Sequence, residues 1–346
     1  MKRILLVGAG HAHLALLRAL KEAPLQGARF ALVSPRARQI YSGMLPGIIA
    51  GHYRRDEGEI DVARLAEAAH TEFIAGEVVK LDPKQKIVSL QDASELEYDL
   101  VSINVGALVE RSVPGAQFAV PVKPHEPFFE KLMTAKLNRV AIAGAGPTGA
   151  EIGMALRYRG AAVTVYSEKG ELWPPRLERV LRRAGVDVRP GMAIDEIQRG
   201  LVVISGATVQ EFDLVLLATA AVPHPWLRAS GLPCDERGFV LVDPMLRSVG
   251  HAEVFAAGDC ATLSASPVPR SGVFALRQGE TLVASFRKLA QGEAPLTYQP
   301  QRHALMLLSC GRRYALAQRG NWSAEGRWVW WWKNHIDRRW VRSLSA

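Results

Sequence analysis

The sequence predicts an α/β protein with two similar strand–turn–helix units and a separate C-terminal region that contains an amphipathic helix. An apolar strand runs into a glycine turn at Gly8 and again at Gly144, each time followed by a helical pattern. Tryptophan and arginine accumulate after residue 300. The 346 residues suffice for two or three domains, and the hydrophobic fraction of 48% is ordinary for a globular protein.

The first turn joins the strand at its amino end to a helix with leucines at 14, 16, 17 and 20. Such a turn leaves free backbone N–H groups at the positive end of a helix, where a pyrophosphate fits. Gly8 and Gly10 match the dinucleotide fingerprint G-x-G-x-x-G/A, but His13 stands where the third small residue is expected. Alone, this turn leaves a dinucleotide site and a purely structural turn equally open.

The second turn carries the complete fingerprint. Gly144, Gly146 and Gly149 follow the strand 139–143, and the strand 162–166 completes a βαβ unit of suitable length. One chain with two such units has room for two dinucleotides.

The three cysteines, Cys234, Cys260 and Cys310, form no C-x-x-C pair and no cluster with metal-ligand spacing. This excludes a redox disulfide between neighbouring cysteines, although two of the three could meet in the fold, and no metal site is predicted. The chain begins directly with a strand and has no run of eighteen apolar residues, so we expect a cytoplasmic protein without a spanning helix.

The segments between and after the two units are predicted as follows. The strand 30–33 ends at Ser34 and Pro35, where a dinucleotide fold usually has an acid. Tyr41 to Gly47 is predicted as a connection without a regular element, either a packed loop or a wall against a flat cofactor. Further elements are expected as a helix at 60–70, strands at 71–74, 77–81, 87–90, 98–103, 212–217 and 253–257, and a helix at 272–289.

The two glycine turns, A-T-A-A-V-P at 218–223 and V-F-A-A-G-D at 254–259, in this order, resemble the flavoprotein family of pyridine nucleotide-disulfide oxidoreductases. The resemblance implies FAD at the first unit, NADH or NADPH at the second, and Asp259 against the ribityl and pyrophosphate part of FAD. It also implies a discontinuous FAD domain at 1–122 and 225–296, an NAD(P)H domain at 123–224 and a C-terminal membrane or interface region at 297–346.

Without a cysteine pair, the chain resembles the branch of type II NADH:quinone dehydrogenases and sulfide:quinone oxidoreductases. Gly146 to Glu151 reads G-P-T-G-A-E, as in the type II dehydrogenases, which implies that Glu151 handles a proton or positions the rings. The alternative is a helix glutamate favoured by the dipole. The segments 10–13, 41–47 and 336–339 resemble a subgroup associated with selenide, water dikinase, a resemblance that leaves the acceptor open.

The site residues expected from this resemblance form three sets. For FAD they are Gly8, Gly10, His11, His13, Ser34, Pro35, Val78, Gly106, Lys123, Gly258, Asp259, Gly272 and Val273. For NAD(P)H they are Gly144, Gly146, Thr148, Gly149, Glu151, Ser167, Glu168, Ala218 and Thr219. The predicted catalytic residues are Glu151, Pro46 and Gln278.

Two of these positions bear on the choice of substrates. Type II dehydrogenases have paired glutamines in the helix that faces the flavin, and this chain keeps only Gln278, which puts quinone reduction in question. Glu168 favours NADH through the ribose 2′-hydroxyl, whereas Ser167 with Lys169 could accept the 2′-phosphate of NADPH, and the balance favours NADH slightly.

The C-terminal region carries much of the net charge of +9, with nine basic residues against two acidic ones from 301 onward. A helix over 328–344 places Trp328, Trp332, Ile336, Trp340 and Leu344 in one stripe, with the basic residues Lys333, Arg338, Arg339 and Arg342 away from it. This pattern suits the inner face of an anionic membrane. The alternatives are a helix packed on its own domain or on a homodimer partner, and no nucleic-acid partner is expected because no fold for one is recognised.

The predicted function is that of an FAD-dependent NAD(P)H oxidoreductase that passes electrons to a quinone-like acceptor without a redox disulfide. The alternatives are a non-quinone acceptor, such as a selenium or sulfur compound, and a flavin-bearing sensor or docking protein.

Overall fold

The computed structural model describes residues 2–204 and 208–345. Its α-helices are α1 (His11–Glu22), α2 (Leu45–Ile49), α3 (Val62–Ala68), α4 (His125–Thr134), α5 (Pro147–Tyr158), α6 (Leu177–Arg183), α7 (Pro225–Ala229), α8 (Gly272–Ala290) and α9 (Arg327–Leu344). Short 3-10 turns lie at Arg55–Gly58, Ala116–Phe118 and Gly258–Cys260.

The strands of the first half are β1 (Lys2–Val7), β2 (Ala28–Ser34), β3 (Arg38–Ile40), β4 (Glu59–Asp61), β5 (Thr71–Ala75), β6 (Val78–Asp82), β7 (Ile87–Leu90), β8 (Glu95–Glu97), β9 (Leu100–Ile103), β10 (Leu108–Val109), β11 (Val120–Pro121), β12 (Arg139–Ala143) and β13 (Ala162–Ser167). Those of the second half are β14 (Asp187–Pro190), β15 (Ile194–Gln198), β16 (Leu201–Ile204), β17 (Thr208–Glu211), β18 (Leu214–Leu217), β19 (Ala221–Val222), β20 (Val240–Val242), β21 (Arg247–Ser248), β22 (His251–Ala256), β23 (Ala261–Leu263), β24 (Met306–Ser309), β25 (Ala315–Arg319) and β26 (Trp322–Gly326).

The first unit is a large sheet in the order β23-β20-β21-β22-β9-β1-β2-β5. From β22 to β5 neighbouring strands are parallel, and β1 lies between β9 and β2. Its last four residues are buried because both faces of the sheet are covered. The carboxyl ends of β1, β9 and β22 therefore lie side by side, and ligands of open α/β sheets bind beyond such ends.

The second unit is a parallel sheet in the order β11-β18-β12-β13-β14. Its central strand β12 runs into α5, as β1 runs into α1. The strand β11 at Val120–Pro121 already belongs to this sheet, just before the expected boundary at 123. The domain boundaries themselves stay a prediction.

Helices α1 and α8 pack closely beside the first sheet. An added Cβ at Gly279 would lie only 2.3 Å from the carbonyl oxygen of Ala12, so this crossing needs glycine in α8. The close crossing fixes the start of α8, at Gly272, beside the first turn of α1.

The segment from Tyr41 to Gly47 differs from its prediction. It was expected to contain no regular element, but Leu45, Pro46 and Gly47 form the first part of the short helix α2. Proline is tolerated there because the first N–H groups of a helix have no partner within it. Met44, Leu45 and Ile49 are buried in the same apolar cluster as the core of the second unit, so this segment of the first unit packs against the second.

The C-terminal region is the antiparallel sheet β24–β26 followed by α9. The expected helix is present, but only the first part of the predicted stripe, Trp328 to Ile336, is exposed as a membrane-facing stripe requires. Trp328, Trp332 and Ile336 are 55%, 37% and 39% exposed, whereas Leu344 is buried. The buried face of α9 consists of Val329, Trp330, Lys333, Asp337, Val341 and Leu344.

The correction extends to Lys333, which was expected on a basic outer face and is almost fully buried. No helix within residues 2–204 and 208–345 is long and apolar enough to cross a membrane.

Candidate functional site

The first glycine turn is held by Asn104, which directly follows β9. The backbone N–H of Gly10 donates to the carbonyl oxygen of Asn104 at 3.1 Å. The side-chain oxygen of Asn104 accepts from the N–H groups of Ala12 and His13 at 3.0 and 3.2 Å. Gly8 has a φ of +86°, in the left-handed region that favours glycine. Sequence reasoning did not single out Asn104, although its place after a central parallel strand was visible.

His13, predicted at the FAD site, is completely buried between α1 and the sheet. Its Nδ1 lies 2.5 Å from the carbonyl oxygen of Gly8, and its Nε2 lies 2.8 Å from the hydroxyl of Ser102. Burial lowers the pKa of His13 to about 4, against the opposing effect of its contact with Gly8. The ring is therefore neutral near pH 7, and both its nitrogens are used inside the protein.

Four polar groups gather at the carboxyl edge of the first sheet. Lys123 Nζ lies 3.1 Å from Asp259 Oδ2, and both side chains are mostly buried. Burial, reinforced by Lys123, lowers the pKa of His125 to about 4. Burial also lowers the pKa of His11, where Asp259 opposes the effect. An added Cβ at Gly272 would lie 3.1 Å from the His11 ring, so the start of α8 belongs to the same group.

Gln278, a predicted catalytic residue, is buried behind the Gly258–Asp259 turn. Its Oε1 accepts the backbone N–H of Gly258 at 2.6 Å. Gly258 has a φ of +72°, so the turn requires a left-handed residue at this point. This contact assigns Gln278 to holding the turn that presents Asp259.

The other residues predicted at FAD lie around the same edge of the sheet. Ser34 is buried at the end of β2, and its hydroxyl donates to Arg36 O at 3.4 Å. Pro35 is exposed, Val78 is buried in β6, and Val273 is exposed in the first turn of α8. Gly106, with a φ of +71°, has open space where a Cβ would stand.

The second glycine turn has the close packing that its fingerprint predicts. An added Cβ at Gly144 would lie 2.2 Å from Ala218 O, and one at Gly149 would lie 2.1 Å from Gly144 O. An added Cβ at Gly146, by contrast, would meet no atom within 4 Å, and Thr148 is exposed. The amino end of α5 therefore opens outward. Thr219, also predicted at NAD(P)H, donates its hydroxyl to Glu110 O at 2.7 Å.

The end of β13 presents one free acidic side chain to that opening. The Ser167 hydroxyl donates to Lys169 O at 3.0 Å and is buried. Glu168 and Lys169 are exposed. The carboxylate of Glu168 is thus accessible to a ribose, whereas the Ser167 hydroxyl is already engaged.

Glu151, in the second turn of α5, points toward the C-terminal region. Its Oε1 accepts the backbone N–H of Ser309 at 2.7 Å. Burial raises the pKa of Glu151 to about 7, and Lys333 and the Ser309 N–H oppose this shift. The carboxyl group can therefore hold or release a proton near neutral pH.

A buried ion pair on α9 completes this side of the site. Lys333 Nζ lies 2.6 Å from Asp337 Oδ2 and 2.7 Å from the carbonyl oxygen of Gly43. Burial raises the pKa of both Tyr41 and Asp337, and the nearby Asp337 carboxylate adds to the shift of Tyr41. Helix α9 is thereby attached to the segment that leads into Pro46, which is itself buried in α2. Sequence reasoning missed this pair, although the i, i+4 spacing of Lys333 and Asp337 was a usable signal.

Comparison with known proteins identifies the family. The model of the pyridine nucleotide-disulphide oxidoreductase family matches residues 2–279, which is most of the chain. The chain belongs to this family. The predicted fold class, the enzyme class of flavin-dependent NAD(P)H oxidoreductases and the cofactors FAD and NAD(P)H are thereby confirmed.

Individual relatives and solved structures agree with this family. The NADH dehydrogenase-like protein YutJ of Bacillus subtilis is 25% identical over 321 residues, 87% of each chain. A type II NADH:quinone oxidoreductase of Staphylococcus epidermidis is 23% identical over 350 residues, covering 86% of this chain and 85% of that protein. The sulfide:quinone oxidoreductase of Aquifex aeolicus superposes with a TM-score of 0.82 at 15% identity, covering 100% of this chain and 92% of the other.

The residues at the two units of this family member fit the two cofactors. At the first unit, the Ser271 hydroxyl is buried without a hydrogen-bond partner in the described protein, next to Gly272 and His11. Gly106 leaves open space at the same edge. At the second unit, the open side of Gly146 leaves the amino end of α5 accessible to a pyrophosphate.

Proposed function

We propose that the chain binds FAD along the first unit and NADH or NADPH along the second, and that it reduces a quinone-like acceptor on the side covered by α9. The observation that carries this proposal is the place of Glu151. Its carboxyl group belongs to the helix of the second unit, bonds to Ser309 of the C-terminal region and faces Lys333 of α9. Glu151 thus stands where the nucleotide unit, the 41–47 segment and α9 meet.

Different residues of the chain are proposed to bind FAD and NAD(P)H. FAD, when bound, supplies two-electron exchange with a nicotinamide on one side and an acceptor on the other. Gly8, Gly10 and His11 present the amino end of α1 to a pyrophosphate, and Asp259 is held toward the same edge by Gln278 and Lys123. Gly146 and Thr148 offer the amino end of α5 to NAD(P)H.

Glu151 is proposed to hold the proton that a quinone-like acceptor takes up on reduction. A carboxyl group with a pKa of about 7 is partly protonated at physiological pH and can act as a general acid. The buried face of α9 and Pro46 exclude water from this side, which favours transfer from Glu151 over transfer from solvent.

NADH is the proposed preferred nucleotide. The exposed carboxylate of Glu168 can accept a ribose hydroxyl and would repel a 2′-phosphate. The Ser167 hydroxyl, engaged with Lys169 O, is not free to bind that phosphate without rearranging.

The outer face of α9 supports peripheral attachment to an anionic membrane. Trp328, Trp331, Trp332 and Ile336 are exposed on the same side of the helix as Arg339. Tryptophan with arginine is the composition that interfacial helices use at headgroup level. Such attachment would place a lipid-soluble quinone next to Glu151, and a homodimer contact is the competing use of this face.

Stopped-flow spectroscopy of the flavin-loaded protein tests the proposal. Mixing with NADH and with NADPH should bleach the flavin absorbance, faster with NADH, and a soluble quinone should then restore it rapidly. Bleaching by neither nucleotide would contradict the oxidoreductase reaction. Bleaching without any response to quinone would contradict the quinone acceptor alone.

One observation favours a second acceptor class. Gln278 is engaged with the backbone of Gly258, and the helix α8 offers no second glutamine nearby for a quinone. A selenium or sulfur compound is therefore the alternative acceptor, in keeping with the resemblance to the subgroup associated with selenide, water dikinase. Rapid reoxidation by such a compound, and not by quinone, would support it.

A further inference from the structure

The side chain of Asn104 connects two segments that are far apart in the sequence. Its Oδ1 accepts from the N–H groups of Ala12 and His13, and its Nδ2 donates to the carbonyl oxygen of Ala257 at 2.6 Å. Asn104 is itself almost fully buried. One buried amide therefore ties the first turn of α1 to the residue just before the Gly258–Asp259 turn.

The same amide explains two glycines of the predicted FAD site. An added Cβ at Gly10 would lie 2.4 Å from Asn104 Oδ1, and one at Gly258 would lie 2.5 Å from Asn104 Nδ2. Neither distance leaves room for a side chain. In this chain, glycine at both positions is required by contact with Asn104, independently of any ligand.

A second contact with α1 is made by Ser102, two residues before Asn104. Residues i and i+2 of a strand point to the same face, so Ser102 and Asn104 both reach toward α1. The Ser102 hydroxyl lies 2.8 Å from His13 Nε2, while His13 Nδ1 contacts Gly8 O. The departure from the fingerprint at position 13 is thus matched by polar partners on β9.

The arrangement limits what the turn can offer to an anion. The N–H groups of Ala12 and His13 already donate to Asn104, so they are not available to donate hydrogen bonds to a pyrophosphate. A pyrophosphate could therefore be bound only through the N–H groups that precede Ala12, through the open shape of the turn and through the opposite turn, which carries Asp259. The relative placement of these two turns depends on Asn104.

We propose that Asn104 is a positioning residue of the FAD site, which holds the Gly8–His13 turn and the Gly258–Asp259 turn at the separation that FAD requires. This inference rests on the proposed placement of FAD along the first unit. It predicts that removing the side-chain amide of Asn104 lowers the affinity for FAD more than a buried substitution of similar effect on apoprotein stability does.

The test measures FAD affinity and apoprotein stability side by side. Asn104→Leu keeps the number and branching of the side-chain heavy atoms and removes all three side-chain hydrogen bonds, whereas Asn104→Asp keeps the acceptor for Ala12 and His13 and loses the donor to Ala257. We expect the dissociation constant of FAD, measured by fluorescence titration of apoprotein, to rise about tenfold or more in Asn104→Leu and by less in Asn104→Asp. The visible flavin spectrum of the leucine variant should also shift.

Val254→Ala is the matched control. Val254 is fully buried in β22, four positions before Gly258, and pairs with Val101, but its side chain makes none of the hydrogen bonds of Asn104. Val254→Ala should lower the melting temperature of the apoprotein but leave the dissociation constant of FAD within about twofold, because it removes core packing and no hydrogen bond of either turn.

The outcomes separate this inference from the proposed function. Unchanged FAD affinity in Asn104→Leu, or equal weakening by Val254→Ala, overturns the role of Asn104 and leaves the function untouched. If Asn104→Leu does not fold, wild-type affinity in Asn104→Asp overturns it. Failure of wild-type protein to bind FAD contradicts the placement of FAD itself, and failure to reduce quinone contradicts only the acceptor.

Discussion

Lys333 and Asp337 lie one helical turn apart on α9 and form a buried ion pair, with 2.6 Å between Nζ and Oδ2 and side-chain exposures of 6% and 7%. Burying two charges is costly, and it is tolerated only where the partners are paired and hydrogen-bonded. The carbonyl oxygen of Gly43 accepts an additional hydrogen bond from Lys333 Nζ at 2.7 Å. The pair therefore stabilises one specific docking of α9 on the segment next to Pro46.

Asp337→Asn should destabilise the protein by about 3 kcal/mol, because removing one partner leaves the Lys333 ammonium buried and unpaired. The free energy of unfolding from urea titration measures this. Glu178→Gln is the matched control, since Glu178 and Arg182 form an i, i+4 pair with side-chain exposures of 36% and 51%, and it should cost less than about 0.5 kcal/mol. Equal costs in the two variants would contradict the special role of the buried pair.

Glu151→Gln should slow acceptor reduction by about a hundredfold, because a general acid contributes that much or more to proton transfer. In the wild type the carboxyl group is protonated below its pKa of about 7 and ionised above it, so the rate should fall as pH rises through 7. The glutamine variant should lose this pH dependence.

Rates of quinone reduction between pH 5.5 and 9 provide the measurement for Glu151. Glu280→Gln, on the exposed face of α8, is the control and should keep the wild-type profile. A glutamine variant at 151 that retains the fall above pH 7 would assign the titration to a different group.

Glu168→Gln should reduce the preference for NADH. Losing a hydrogen bond to a charged group lowers kcat/KM for NADH by about tenfold or more, and removing a negative charge should improve NADPH. Steady-state kinetics with both nucleotides measure the ratio. Glu171→Gln, three residues further along an exposed segment, serves as control, and a ratio unchanged in Glu168→Gln would exclude this side chain from the ribose site.

His13 and His125 should make the protein less stable as the pH falls from about 6.5 to 4. His13 is completely buried and His125 is partly buried, and each has a pKa of about 4, against 6.5 for an unperturbed histidine. Between these values the unfolded chain binds more protons than the folded one, so each histidine lowers the free energy of unfolding by up to about 1.4 kcal/mol per pH unit of acidification. Urea titrations at pH 7, 6 and 5 should show a smaller slope in His13→Gln, whereas His335→Gln, at an exposed position, should keep the wild-type slope.

The parts predictable from sequence were those set by local pattern. The strand–glycine–helix units, the helix 272–289 and the C-terminal helix depend on periodicity and on turn residues, and all of them are present. The close approach at Gly144 and Gly149 follows from the fingerprint for the same reason.

The parts that escaped prediction depend on contacts between distant segments. Asn104 donates a hydrogen bond to Ala257, 153 positions away, and Lys333 donates one to Gly43, 290 positions away. The sequence left open which face of α9 packs on the protein, and the burial of Lys333 was not predicted although its i, i+4 spacing to Asp337 was a usable signal. The tryptophan spacing fitted either face, and only the pairing of Lys333 with Asp337 decided which face is buried.

The exposed face of α9 leads to the last prediction. Trp328, Trp332 and Ile336 recur at four-residue steps and stand in solvent, where isolated exposure of this much apolar surface is unfavourable. If this face inserts at headgroup level, replacing the three residues by serine should abolish co-sedimentation with vesicles that contain anionic phospholipid, while the flavin is still reduced by NADH.

Trp173→Ser is the control for this surface. Trp173 is 63% exposed but belongs to the second unit and not to α9, so its replacement should leave vesicle binding unchanged. Wild-type binding that is equally strong to neutral and anionic vesicles would remove the role of the arginines beside the tryptophans. Absence of vesicle binding together with a concentration-dependent dimer that the triple serine variant loses would instead assign this face to a second copy of the chain.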